Sequence, residues 1–210
     1  MRVKEVSNQK LLLEGNDDQH VIWALCKKYN ISESFDVINC EGITKLIEQI
    51  PVRFKQSSIR TVGIIIDADT NIEDRWSSLK STLETQGFVL PAKFPPDGLI
   101  AHCNNLTVGV WIMPNNNLNG MLEDFISFLV PKEDKLLPIV HSVLNDIETQ
   151  SLNSYSQIHK SKAIIHTWLA WQEDPGTPMG LSITKRYLDT NKETCTKLIR
   201  WLNQLFNSPQ

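Results

Sequence analysis

Residues 61–69, "TVGIIIDAD", constrain this chain more than any other stretch: an apolar, β-branched run that closes on two aspartates. A strand with one wet face alternates apolar and polar residues, whereas this one offers apolar side chains to both sides. It belongs in the middle of a parallel sheet with helices on both faces, and the rest of the chain supplies the neighbours. "KLLLE" (10–14) is a short apolar run ended by Gly15, and a helical period then runs to about Asn30 with Val21, Ile22, Leu25 and Cys26 on one face. "FDVINCE" (35–41) reads as a second strand and "ITKLIEQIPVRF" (43–54) as a second helix, which Pro51 ends or kinks. After the central strand a helix is expected from about Ile72 to Gln86. Two or three strands follow in "GFVLP" and "LIAHCNNLTVGVWIMP", with Pro91, Pro95, Pro96 and Gly98 marking an irregular connection. From Gly120 the pattern turns helical, in "MLEDFISFLV", "KLLPIVHSVLNDIETQ", "YSQIHKSKAIIHTWLAWQ" and "KETCTKLIRWLNQLF". The expected fold is α/β: a Rossmann-like, mainly parallel sheet flanked by helices over residues 1–130, with a helical C-terminal portion, 131–210, packed on it.

In such sheets ligands bind at the carboxyl ends of the strands, and that is where this chain puts its acids. Glu14 ends the first strand, and Asp67 and Asp69 end the central one. Alternation along an extended segment would point residues 67 and 69 the same way. Asp18 stands four residues after Glu14, at the start of a helix, and Glu123 and Asp124 open the first C-terminal helix. Like charges gathered in one crevice either raise their pKa values or bind cations, and hard carboxylate oxygens suit Mg²⁺ or Mn²⁺. Each piece also has a plain structural reading. Asp17 and Asp18 suit a helix N-terminus, "IIIDAD" suits a strand running into a turn, and Glu123 and Asp124 suit an acidic first turn.

Composition narrows the class. With 210 residues, 41% hydrophobic, the chain can bury one good core, and a net charge of −3 argues against a protein that coats nucleic acid non-specifically. Residues 1–152 are acidic in balance and 153–210 mildly basic, which fits a metal site facing a basic wall as well as it fits an ordinary solvated surface. No apolar run is long enough to span a bilayer, and "MRVKEVSNQK" has no leader-like apolar segment, so a cytoplasmic location without membrane contact is expected. Cys26, Cys40, Cys103 and Cys195 are too scattered for a zinc knuckle or a disulfide framework. The five histidines show no ligand spacing. Trp168, Trp171 and Trp201 fall on amphipathic helices as packing residues, and "QEDPGTPMG" (172–180) is either a loop closing over a site or a plain helix-to-helix connection. No glycine-rich phosphate loop is present.

"LLLEGNDD", then "GIIIDAD" about 50 residues on, then "LEDF", together resemble the toprim domain shared by topoisomerases, bacterial primases, recombination mediators and the overcoming-lysogenization-defect nucleases. Glu14, Asp18, Asp67 and Asp69 match that pattern residue by residue, and the resemblance covers residues 10 to about 125. With "MPNNNLNGMLEDFI" after the sheet and a helical tail, the chain is similar to small bacterial toprim-related proteins near the nuclease branch. The length leaves no room for a topoisomerase tyrosine domain or a primase zinc region. The resemblance therefore implies a Mg²⁺- or Mn²⁺-dependent phosphodiesterase or nuclease acting on nucleic acid. Glu14, Asp18, Asp67, Asp69, Glu123 and Asp124 would form its metal shell, and Glu14 would also serve as general acid or base. In the nucleases of this branch a lysine assists at the metal, which makes Lys160 and Lys162 candidates, although a solvated helix start explains both equally well. The alternative is a non-catalytic toprim module, a scaffold or binding subunit in an assembly with an ATPase partner supplied in trans. Either reading is compatible with a homo-oligomer.

Overall fold

The computed structural model of the chain describes residues 5–208, so Met1–Lys4 of the N-terminal stretch and Pro209–Gln210 lie outside it. Five strands, β1 (Gln9–Leu13), β2 (Asp36–Asn39), β3 (Thr61–Asp67), β4 (Leu99–Cys103) and β5 (Leu106–Met113), form one sheet in the order β2-β1-β3-β5-β4. All neighbours pair in parallel except β4, which runs antiparallel to β5 at the edge. That reversal follows from a tight turn at Asn104, held at φ 52°, a backbone state asparagine tolerates and hairpin turns favour. "GFVLP" is not a strand: it lies in an irregular segment where Val89 stays 93% exposed.

The helices are α1 (Asn16–Tyr29), α2 (Ile43–Phe54), α3 (Ile72–Glu84), α4 (Leu122–Leu129), α5 (Leu136–Thr149), α6 (Lys160–Ala170), α7 (Met179–Thr184) and α8 (Glu193–Phe206). α2 continues past Pro51 to Phe54. α7 is a short helix that the punctuation of "QEDPGTPMG" conceals, and the segment before it joins α6 to α7.

β3 is buried on both faces, as its composition requires. Ile64 and Ile66 pack with residues of α2 and α3, while Ile65 joins a second core built with α1, α4 and the C-terminal helices. That second core answers why a glycine interrupts so apolar a strand. Gly63 pairs with Gly109 across β3 and β5, and α8 crosses the flat floor they make. A Cβ at Gly63 would stand 2.7 Å from Phe206 Cζ, so a methyl group there would lift the helix. Trp168 and Trp201 are buried in this core, but Trp171 is 43% exposed and does not pack as expected, because it caps the end of α6 where the helix meets solvent. All four cysteines are free. Among the described residues no helix is long and apolar enough to cross a membrane.

Candidate functional site

Strand register assembles the site. Leu13 of β1 pairs with Ile65 of β3, so Glu14, one residue beyond β1, sits beside Asp67 at the end of β3. The Asp67 amide donates to Glu14 Oε1 at 2.8 Å. Gly15 then turns the chain into α1, and Asp18 accepts the Gly15 amide at Oδ2, 3.1 Å away, which fixes the first turn of the helix. Asp18 is therefore a helix cap and an acid of the cluster at once. Asp67 reaches across to α4, its Oδ1 accepting the Leu122 amide at 3.0 Å, and this contact draws in Glu123, which is only 4% exposed. Lys162 of α6 stands 3.5 Å from Glu123 Oε1.

The electrostatics of this group are those of negative charge only partly offset by Lys162 and Arg75. Burial, then the charges of Glu14 and Glu123, push Asp18 up to about 7. Asp67 is held well above the usual carboxylate range, first by burial and then by Asp18, Glu14, Glu123 and Asp69. Glu14 is raised chiefly by burial, with the Asp67 amide, Arg75 and Lys162 acting against the rise. Carboxylates on separate segments thus raise one another's proton affinity inside a largely buried crevice.

Asp69 departs from the alternation argument. β3 ends at Asp67, and Asp69 lies beyond it in the left-handed region at φ 52°, where its amide and carbonyl exchange hydrogen bonds of 2.8 Å with Gly120. Its carboxylate turns to an ion pair with Arg75 of α3, although its charge still reaches Glu14 and Asp67. Asp124 has both oxygens engaged: Oδ2 accepts the Met121 amide at 2.8 Å and Oδ1 the Ser161 hydroxyl at 2.6 Å. Lys160 is occupied elsewhere, donating to Glu148 at 2.6 Å and Asn145 at 3.1 Å. Arg75 was not singled out in the sequence. Its position in the first turns of the helix after Asp-x-Asp was the available signal.

A hard divalent cation matches this donor set in kind: buried carboxylate oxygens that repel one another. No described residue donates to Glu14 Oε2 or Asp67 Oδ2. The placement is less complete. Among the described residues no three His, Cys, Asp or Glu side chains stand where they would together hold one ion without moving.

Residues 8–207 match a family described as "Protein of unknown function (DUF3226)". No curated protein matches the chain. Among solved structures, the C-terminal region of the OLD protein of Xanthomonas campestris pv. campestris, phased with mercury, is similar at 14% identity over 97% of this chain and 87% of that one, with a TM-score of 0.38. The same region phased with iodine gives 13% identity over 97% and 86%, with a TM-score of 0.37.

Proposed function

The chain belongs to the DUF3226 family, a description that assigns no chemistry, and from its own residues we propose a divalent-cation-dependent phosphodiesterase or nuclease acting on nucleic acid. The observation that supports this reading is the cluster of Glu14, Asp18, Asp67 and Glu123, brought from three separate regions of the chain to one sheet edge with Asp18 pushed up to about 7. Burying like charges is costly and serves no packing purpose that aliphatic residues would not serve better. The toprim-like order of Glu14, Asp18, Asp67 and Asp69 supports the same chemistry. Glu14 and Asp67, each with an oxygen free of hydrogen bonds, would hold Mg²⁺ or Mn²⁺ with Asp18 and Glu123 behind them. When bound, such an ion activates a water and neutralises charge on the phosphate undergoing attack. Where it does not itself hold the ion, Glu14 would act as general acid or base toward the attacking water. Lys162, half-exposed beside Glu123, would face the developing negative charge, whereas Lys160 is engaged by Glu148. Asp69 would join only on release from Arg75.

A second reading, the scaffold subunit working with an ATPase partner, is favoured by the Asp69–Arg75 pair and by the absence, among the described residues, of three ligands already disposed around one ion. Cleavage assays separate the two. Purified protein with Mn²⁺ should cut single-stranded or supercoiled nucleic acid, and Glu14→Gln and Asp67→Asn should abolish that activity with circular dichroism unchanged. No cleavage of DNA, RNA or a generic phosphodiester by the wild type, with or without an ATPase partner, would sink the enzyme reading.

A further inference from the structure

A cavity of about 510 Å³ opens between α3, the segment at residues 92–94 and the turn at residues 116–117. Its volume lies within the range of small-molecule sites. α3 presents Ile72, Trp76 and Lys80 to it at four-residue spacing, one stripe of a helix. Phe94 meets Trp76 edge-on, ring centres 4.9 Å apart, and remains half-buried, with part of its ring open to an occupant. The Trp76 indole N–H is buried without a hydrogen-bond partner, so a wall residue holds a donor that no described group satisfies. Two cations flank these rings. Lys80 is 3.6 Å from Glu84 with its side chain 23% exposed, and Lys93 is exposed with no ion pair among the described residues.

Aromatic rings beside Lys93, which has no ion pair among the described residues, and Lys80, held by Glu84 at 3.6 Å, offer what a nucleotide requires: a face for the base and positive charge for the phosphate. Glu73 also lines the cavity, which sets a limit on the occupant's charge. A singly charged phosphodiester is tolerated there better than a doubly charged phosphate monoester or a triphosphate. The location fits as well. α3 is the helix whose Arg75 pairs with Asp69 and whose first amide, that of Ile72, donates to Asn119 at 3.0 Å, so the helix that walls the cavity also reaches the chain just beyond the carboxylate-bearing strand end.

We infer that this cavity binds one nucleotide unit of a single strand, its base against Phe94 and its phosphate between Lys80 and Lys93. The inference deepens the phosphodiesterase reading by naming the substrate class and rests on that reading for its purpose, but the binding itself is measurable without catalysis. The test is fluorescence anisotropy of a 5′-labelled ten-nucleotide oligothymidylate with the full chain in EDTA, where no metal-dependent cleavage can occur. Wild type should bind. The double variant Lys80→Ala, Lys93→Ala should bind at least tenfold more weakly, and the slope of log affinity against log salt should fall by about 0.7, the share of one phosphate contact on a single strand. Phe94→Ala should lose at least fivefold with that slope unchanged, as loss of one stacked base implies. Unlabelled oligothymidylate should compete and thymidine monophosphate, a doubly charged monoester, should compete far more weakly; thymidine monophosphate competing at equal affinity would overturn the strand assignment. Failure of wild type to bind the oligonucleotide, or binding by both variants at wild-type affinity and salt slope, would overturn the inference. Glu14→Gln serves as the independent control: it should remove cleavage in Mn²⁺ and leave binding in EDTA in place.

Discussion

Replacing Asp18 by asparagine should stabilise the metal-free protein, and by more as the pH rises. Asparagine has nearly the same volume, and its Oδ1 can still accept the Gly15 amide, so the helix start survives while the charge is lost. The folded protein holds the Asp18 proton up to about 7, against an ordinary value of 3.8, and at about 1.4 kcal/mol per unit this sets a ceiling of about 4 kcal/mol. A group whose folded pKa is raised contributes stability that is fully present below the unfolded pKa and is lost as the pH climbs through the folded one. In the unfolded chain Asp18 is ionised by about pH 5, whereas in the fold it gives up its proton near pH 7, so about 3 kcal/mol disappears over that interval. At about 2–4 °C per kcal/mol for a chain of this size, Asp18→Asn should melt about 5–10 °C higher than wild type at pH 8, relative to their difference at pH 5. Thermal denaturation followed by circular dichroism in chelator at both pH values is the assay. A variant difference that does not change with pH, or one that falls as the pH rises, would refute the view that the cluster carries stored repulsion.

Asp124→Ala should destabilise by about 2–3 kcal/mol by orphaning the Met121 amide and the Ser161 hydroxyl while leaving any Mn²⁺-induced rise in melting temperature intact; a lost Mn²⁺ response would return Asp124 to the metal shell. Gly180→Ala should lower stability by about 1–3 kcal/mol, because its Cβ would stand 2.6 Å from the His20 carbonyl oxygen where α7 crosses α1, and neutral denaturant unfolding would contradict that crossing. Asp36→Asn should cost about 3 kcal/mol by stranding Lys10, whose side chain is 4% exposed and reaches Asp36 at 2.6 Å; the retained contact to Glu5 at 3.3 Å sets the lower bound, and an unchanged urea midpoint would refute the pairing.

The parallel sheet was legible because burial on both faces leaves a composition that nothing else demands: "TVGIIIDAD" could lie only in the middle. The edge hairpin was less so, since antiparallel β4 depends on a two-residue turn at Asn104 that resembles any polar loop until the strands on either side are known to pair. α7 escaped because six residues give too few turns for a helical period, and its place is set by close approach to α1. At the site, Glu14, Asp18 and Asp67 could be located from strand ends, because chain direction and register carry that information. Asp69 could not, because the period-2 argument fails where the strand stops, and Asp69, itself in the left-handed region, turns its own carboxylate to Arg75. The division of labour between Glu123 and Asp124, one acid facing the cluster and the other closing its own helix start, depends on the rotation of α4, which adjacent positions in a sequence do not fix.

A crystal of the full chain equilibrated with Mn²⁺, measured for anomalous scattering, decides whether the carboxylates at the ends of β1 and β3 hold a cation. A manganese peak is expected within ligand distance, about 2.0–2.3 Å, of Glu14 and Asp67 oxygens, absent from crystals of Asp67→Asn. Carboxylates left in their metal-free positions at millimolar Mn²⁺, with no peak between β1 and β3, would contradict it.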